Sequence, residues 1–175
     1  MEDDYLGNNM SKMVQTWVSY VKQERISEVY TIHGMSMEPL IRNGERVLVD
    51  LDYFRGSKNT IQHDDVIIFE NPHSHDRIIK RVGIIAWDRV EKKLENGTLL
   101  VNGKVLMNSV LEPYIFDDRA YRWIDIYTKS GIIIENTYFL YGDNIDASVD
   151  SRITWPVTLE WILGKVIDQS NSTDK

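Results

Sequence analysis

Short runs of β-branched and aromatic residues recur along the chain, and each run ends in residues that favour turns. The clearest pair, 99–101 and 104–106, flanks Asn102-Gly103, a dipeptide typical of two-residue hairpins. Further strands are predicted at 29–32, 46–50, 65–69, 77–85 and 161–167, and a second hairpin is predicted at 131–134 and 137–141. Such regular spacing predicts antiparallel sheets in a mainly β, barrel-like domain.

The composition excludes several classes of function. The chain has 175 residues, of which 42% are hydrophobic, enough for the core of one domain. The net charge of −7 argues against nucleic acid as a partner. The absence of cysteine excludes disulfides, thiol catalysis and thiolate metal sites. His73 and His75 form an H-x-H pair without a clear third ligand, so we expect no metal and no cofactor.

Three segments carry residues suited to hydrolytic chemistry. Ser36 lies in the Gly-Met-Ser-Met-Glu-Pro run at 34–39, and Lys80 lies in the apolar run 78–82. The third segment, 142–152, contains Gly-Asp-Asn followed by Ser-Val-Asp-Ser-Arg. A lysine can replace histidine as general base if burial lowers its pKa enough to leave it neutral. The apolar neighbours of Lys80 favour such burial, whereas on a half-exposed strand the same lysine would be solvated.

In their order and spacing these segments resemble those of the type I signal peptidases (peptidase family S26). These are Ser-Lys endopeptidases that remove signal peptides from exported proteins. The resemblance extends from about residue 30 to residue 167 and includes the strand 65–69 and the closing run 164–166. It implies antiparallel sheets that form a β-barrel-like catalytic core with a small β insertion. It also implies acyl-enzyme chemistry that cuts after small residues, in the Ala-x-Ala pattern.

The resemblance implies a role for each residue of the site. Ser36 is the expected nucleophile, with its backbone N–H in the oxyanion hole, and Lys80 is the expected base. The residues expected to support this pair are Gly34, Asp143, Ser148, Asp150 and Arg152. Among these, Ser148 is expected to orient the lysine amine, and Asp150 and Arg152 are expected to form a charge pair. Taken alone, the 142–152 segment would fit a polar turn with a surface salt bridge better than it fits a catalytic role.

The same resemblance predicts where substrate binds. The residues that match the specificity pockets are Ile32, Met35, Met37 and Ile79. Aliphatic walls would form shallow pockets that reject large or charged side chains, and the substrate is expected to add a strand to a sheet edge. Ile32 and Met37 equally fit the role of core residues.

The predicted domain organisation has two parts. Residues 1–28 form a tail and an amphipathic helix (about 11–25), and residues 29–175 form the catalytic domain, with an inserted β subdomain at about 86–128. The helix either docks on its own domain or lies in a membrane interface with Trp17 and Tyr20 at headgroup level.

The resemblance implies a place at the extracytoplasmic face of the cell membrane, with signal peptides and the membrane surface as partners. The sequence shows neither a secretory signal peptide, because the N-terminus is acidic, nor a transmembrane anchor. It leaves the oligomeric state open.

Two alternatives remain at this point. The segment 84–88 reads Ile-Ile-Ala-Trp-Asp where the family has a glycine-containing turn, and Ile145 stands where the family has arginine. These departures favour a weakly active or non-catalytic factor that binds exported subunits for pilus-type surface assembly. A self-cleaving regulator of the SOS-repressor type would share the Ser-Lys chemistry, but it would need a helix-turn-helix ahead of Ser36, and the first thirty residues do not provide one.

Overall fold

The structure, a computed structural model, describes residues 26–56, 59–92 and 96–170, and its secondary structure is mainly β. The strands are β1 Ser27–Thr31, β2 Arg46–Asp50, β3 Val66–Glu70, β4 Arg77–Ile84, β5 Val90–Lys92, β6 Leu99–Val101, β7 Lys104–Val105, β8 Thr128–Lys129, β9 Ile132–Ile133, β10 Phe139–Tyr141 and β11 Ile162–Ser170. The helices are α1 Asp118–Ile126 and a 3-10 turn at Leu159–Trp161. The strand pairs are antiparallel, so the predicted fold class is confirmed.

The N-terminal part of the prediction cannot be compared with this fold. The predicted helix at about 11–25 lies outside the described residues. Within the described ranges, no helix combines the length and the apolar character that crossing a bilayer requires.

The central element is a six-stranded sheet in the order β1-β2-β11-β3-β4-β10. Successive side chains of a strand point to opposite faces, so Ile67 and Ile68 of β3 enter two different apolar clusters. The first cluster consists of Ile32, Met37, Ile41, Val47, Val49, Ile68, Ile79 and Val166. The second consists of Ile61, Ile67, Val82, Leu140, Val157 and Ile162. Because both faces are covered, the central strands read as continuous apolar runs rather than as alternating ones.

The chain between β4 and β10 forms a second lobe with the sheet β5-β6-β7, the helix α1 and the pair β8-β9. Its core includes Tyr114, Phe116 and Ile124, and it is continuous with Phe139 and Tyr141 of β10. The helix was not anticipated in this stretch. Asp117 is its N-cap, and the Asp117 side chain accepts a hydrogen bond from the Ala120 N–H at 2.7 Å. The domain boundaries remain predictions.

The hairpin predictions had opposite outcomes. Asn102 and Gly103 both have positive φ, 51° and 78°, and they join β6 to β7 as predicted. The second predicted hairpin, 131–134 with 137–141, is wrong, because β9 pairs with β8 and β10 pairs with β4. The reason is the turn Ser130-Gly131, in which φ is 54° and 79°. This turn joins β8 to β9, so the chain already reverses direction before the predicted first strand of the hairpin.

Strand β4 creates the setting for the site because its two edges differ. It pairs with β3 from Arg77 to Arg81, whereas its ladder with β10 begins only at Arg81, which lies opposite Tyr141. In the described part of the chain, the first half of β4 therefore has one neighbouring strand. The loop that follows β1 lies beside this half of β4, and the two segments enclose a cleft.

Candidate active site

Ser36 and Lys80 meet in the cleft between the loop after β1 and the first half of β4. The Lys80 Nζ donates to Ser36 Oγ at 2.7 Å and to the Ile79 carbonyl at 3.0 Å. The serine loop is fixed at its base, where the Gly34 N–H donates to Asn43 Oδ1 at 3.0 Å. Gly34 has a φ of +96°, a conformation that favours glycine. The sequence-predicted pair is thus in direct contact.

Burial changes the protonation of Lys80. Lys80 is 4% exposed. Burial lowers the pKa of Lys80 from 10.5 to about 8, against the opposing influence of the Asp150 and Asp143 carboxylates. Desolvation disfavours the charged ammonium. Near pH 8, about half of the Lys80 population is therefore neutral and able to accept a proton.

Two buried carboxylate–guanidinium pairs stand beside the lysine. Asp143 accepts from Arg81 Nε at 2.7 Å and from Nη2 at 2.8 Å. Asp150 accepts from Arg152 Nε at 2.9 Å and from Nη2 at 2.8 Å. Both carboxylates are buried, at 1% and 4% exposed, and each is bound through two N–H···O contacts to one guanidinium, a geometry that gives strong, directional hydrogen bonds. The predicted Asp150–Arg152 pair is present.

Ser148 lies against the serine loop at a point of very close packing. Its Oγ is buried and has no hydrogen-bond partner within the described residues. A Cβ placed on Gly142 would overlap Ser148 Oγ and the Ser36 carbonyl oxygen. The Gly142 N–H in turn donates to Asp150 Oδ2 at 3.0 Å. The structure thus brings Ser148 beside the backbone of Ser36, while its predicted role in orienting the lysine amine stays a prediction.

The cleft has apolar walls next to the reacting pair. It encloses about 190 Å³, and Ile32, Met37 and Ile79 are among its lining residues. At its far end the Arg77 Nη1 donates to the Tyr30 hydroxyl at 2.7 Å. Three of the four predicted substrate-binding residues therefore line one cavity. The fourth, Met35, is 57% exposed and lies outside this lining.

Sequence reasoning missed three residues that contact the site. Arg81, the partner of Asp143, had a signal, because a basic residue follows Lys80 directly in an apolar strand. Asn108 Nδ2 donates to the Asp143 carbonyl at 2.9 Å, and the Tyr114 hydroxyl donates to the Gly142 carbonyl at 3.1 Å. These two contacts join residues 35 and 28 positions apart in the sequence, and no local sequence pattern predicts them.

The two histidines considered as metal ligands have other contacts. His75 Nδ1 lies 2.9 Å from Glu70 Oε1, and the His73 ring packs edge-on against Trp155 with 4.8 Å between centroids.

Comparison with known proteins gives consistent matches. The family model described as "Signal peptidase, peptidase S26" matches residues 10–168. Signal peptidase IB of Staphylococcus aureus (strain Mu50 / ATCC 700699) is 33% identical over 150 residues, which cover 78% of this chain and 74% of the relative. Signal peptidase I V of Bacillus subtilis (strain 168) is 29% identical over 149 residues, which cover 79% of this chain and 83% of the relative.

A solved structure, a signal peptidase I from Enterococcus faecalis V583, is 26% identical and covers 63% of this chain and 99% of its own. Its TM-score of 0.41 is too low to support an argument about the fold. The family model, by contrast, spans most of the chain, and a relative at 33% identity spans more than two thirds of it. The chain therefore belongs to the signal peptidase family, peptidase family S26.

Proposed function

We propose that this signal peptidase, a serine endopeptidase that removes signal peptides from preproteins, works through Ser36 as nucleophile and Lys80 as general base. One observation carries the proposal: the Lys80 Nζ lies 2.7 Å from Ser36 Oγ while the lysine side chain is 4% exposed. Contact supplies the path for the proton, and burial supplies an amine that is neutral near working pH.

Acylation uses this contact directly. Neutral Lys80 accepts the Ser36 proton as Oγ attacks the carbonyl carbon at the cleavage site. The resulting oxyanion accepts a hydrogen bond from the Ser36 backbone N–H. The Gly34 N–H is not available for this task, because it already donates to Asn43. As the C–N bond breaks, the lysine ammonium returns its proton to the leaving amine, and the signal peptide stays esterified to Ser36.

Deacylation repeats the same transfer with water. Lys80, again neutral, accepts a proton from a water molecule that attacks the ester carbonyl. The ammonium then protonates Ser36 Oγ as the ester bond breaks. The signal peptide leaves with a carboxylate terminus, and the pair is ready for another cycle.

Substrate binding follows from the free edge of β4. A peptide that adds a strand beside residues 77–80 would hydrogen-bond to the backbone there. In a strand, every second side chain points to the same face. The first and third residues before the cut would therefore both face the apolar side of the cleft, near Ile32, Met37 and Ile79. A cavity of about 190 Å³ suits small side chains and supports the Ala-x-Ala preference.

The enzyme is expected to act at the extracytoplasmic face of the cell membrane. Exposed apolar side chains flank the site: Met35 beside the nucleophile is 57% exposed, and Val149 beside Ser148 is 68% exposed. Such side chains favour contact with a lipid surface. Co-sedimentation with anionic lipid vesicles, compared between wild type and a Met35→Ser/Val149→Ser double variant, tests this contact.

The activity is tested with a fluorogenic Ala-x-Ala peptide, assayed with and without detergent. Ser36→Ala and Lys80→Met are each expected to abolish nearly all cleavage, because the two residues act as a unit. Lys165→Met is the matched control, since Lys165 pairs with Asp65 at 2.6 Å and is not part of the cleft lining. Near-normal turnover by Ser36→Ala contradicts the proposal.

The same assay separates the proposal from a non-catalytic assembly factor, which the matches to named signal peptidases do not favour. Peptide binding without cleavage by the wild-type protein, in every buffer and detergent, would restore that alternative.

A further inference from the structure

The segment 142–144, here called the strap, is packed against the backbone of the nucleophile. The Asn144 N–H donates to the Ser36 carbonyl at 3.1 Å. Gly142 lies so close to the same carbonyl and to Ser148 that no side chain fits there. Any displacement of the strap is therefore transmitted to the backbone of Ser36.

The inserted lobe holds two of the three carbonyl groups of the strap, those of Gly142 and Asp143. The Tyr114 hydroxyl donates to the Gly142 carbonyl at 3.1 Å, and Asn108 Nδ2 donates to the Asp143 carbonyl at 2.9 Å. Tyr114 is fully buried and Asn108 is 5% exposed, so water does not readily replace either donor.

Both donors are themselves held in place. Asn108 Oδ1 accepts from the Val110 N–H at 3.1 Å and from the Glu112 N–H at 2.8 Å, which fixes the amide with its nitrogen toward the strap. The Tyr114 ring packs against Tyr141 with 5.0 Å between centroids, and the Arg152 guanidinium lies 5.5 Å from its centre. The donors thus arrive at the strap already oriented, as a positioning role requires.

We infer that Tyr114 and Asn108 are positioning residues of the catalytic site, which hold the strap so that Ser36 stays aligned with Lys80. This inference rests on the proposed roles of Ser36 and Lys80. It makes the inserted lobe part of the catalytic apparatus, although neither residue touches the substrate or the reacting atoms. The path runs from the two side chains to the strap carbonyls, and from the Asn144 N–H to the Ser36 carbonyl.

Each variant removes the donor that reaches the strap and keeps the other contacts of the side chain as far as possible. Tyr114→Phe keeps the packed ring, and Asn108→Ser keeps an oxygen that can accept from the Val110 and Glu112 N–H groups. Because misplacement by about 1 Å can lower a rate by on the order of 100-fold, we expect each variant to lower kcat about tenfold. We expect KM to change by less than about twofold, since the cleft walls are untouched.

Two variants of the same lobe separate positioning from general stability. Tyr127→Phe makes the same hydroxyl deletion on a ring that packs against Phe139 in the same core, with 6.2 Å between centroids. Asn102→Gly removes hydrogen bonds to Asp88 and from the Arg89 N–H without reaching the strap, at a position where glycine fits the positive φ. Both are expected to keep the wild-type kcat even if their melting temperatures fall as far as those of Tyr114→Phe and Asn108→Ser.

The outcomes are decisive in each direction. If wild-type cleavage does not depend on Ser36, the proposed function fails before the strap is considered. If cleavage depends on Ser36 but Tyr114→Phe and Asn108→Ser match their controls in kcat, the positioning role alone is wrong. If Tyr114→Phe does not fold, Asn108→Ser against Asn102→Gly decides, and a wild-type kcat in Asn108→Ser overturns the inference.

Discussion

Replacing Gly142 with alanine should disable the enzyme without unfolding it. The added Cβ would overlap Ser148 Oγ and the Ser36 carbonyl oxygen, and it would lie 2.5 Å from Ser148 Cβ. The backbone of Gly142 does not have positive φ, so the problem is steric rather than conformational. Since Cβ contacts under 3.0 Å essentially do not occur, the strap or the Ser36 backbone must move as well as the Ser148 side chain. The shift must exceed about 0.5 Å, because the 2.5 Å contact is the longest of the three.

The expected magnitudes follow from that displacement. Overpacking of a well-filled interior costs about 1–3 kcal/mol of stability. Movement of the Ser36 backbone against Lys80 by such an amount is expected to lower kcat by about 10- to 100-fold. The measurements are the free energy of unfolding from urea titration, and kcat with an Ala-x-Ala peptide.

Gly164→Ala is the matched control, because a Cβ there would overlap the Asp50 carbonyl oxygen and lie 3.0 Å from Leu51 Cα. It should lose a similar amount of stability and keep its kcat, corrected for the folded fraction. Full activity in Gly142→Ala, or equal losses of kcat in the two variants, would refute the reasoning.

Three further predictions concern the lysine and the cleft. Burial lowers the pKa of Lys80 from 10.5 to about 8. Below pH 8 the buried ammonium therefore lowers the free energy of unfolding by about 3 kcal/mol, and this penalty disappears as the pH rises through 10.5. Lys80→Met should therefore raise the free energy of unfolding by about 2 kcal/mol at neutral pH and by less at pH 10.5; a urea titration that shows the same change at both values contradicts this. Asp150→Asn removes a carboxylate that raises the pKa of Lys80, so the midpoint of kcat/KM against pH should move below that of wild type, and a midpoint that moves upward is the opposing result. Ile79→Ala enlarges the cleft, so the kcat/KM ratio of a Val-x-Ala to an Ala-x-Ala peptide should rise about tenfold, and an unchanged ratio would remove Ile79 from the pocket.

Local chemistry made parts of the fold predictable. Asn102-Gly103 specifies its hairpin because both residues accept positive φ, whatever surrounds them. The failed second hairpin shows the limit of the same logic. Ser130-Gly131 and Glu135-Asn136 are both plausible turns, and the choice between them depends on pairing partners distant in sequence.

In the candidate site, too, residues with a local sequence signal were predictable and residues that depend on distant contacts were not. An apolar strand around Lys80 predicts its burial, and the family resemblance predicts its contact with Ser36. Arg81 was missed because alternation places it on the opposite face of β4 from Lys80, yet its long side chain reaches Asp143. Asn108 and Tyr114 were unpredictable, since each contact depends on how the inserted lobe docks on the strap.

The central claim is that burial keeps Lys80 neutral enough to deprotonate Ser36. The most direct measurement is kcat/KM of the wild-type enzyme between pH 6 and 10.5, with Ser36→Ala as the blank. With a Lys80 pKa of about 8, the Ser36-dependent rate should rise about tenfold from pH 7 to pH 9 and then level off. A rate that rises about 100-fold over the same range and is still rising at pH 10 would indicate a solvated lysine and contradict the account.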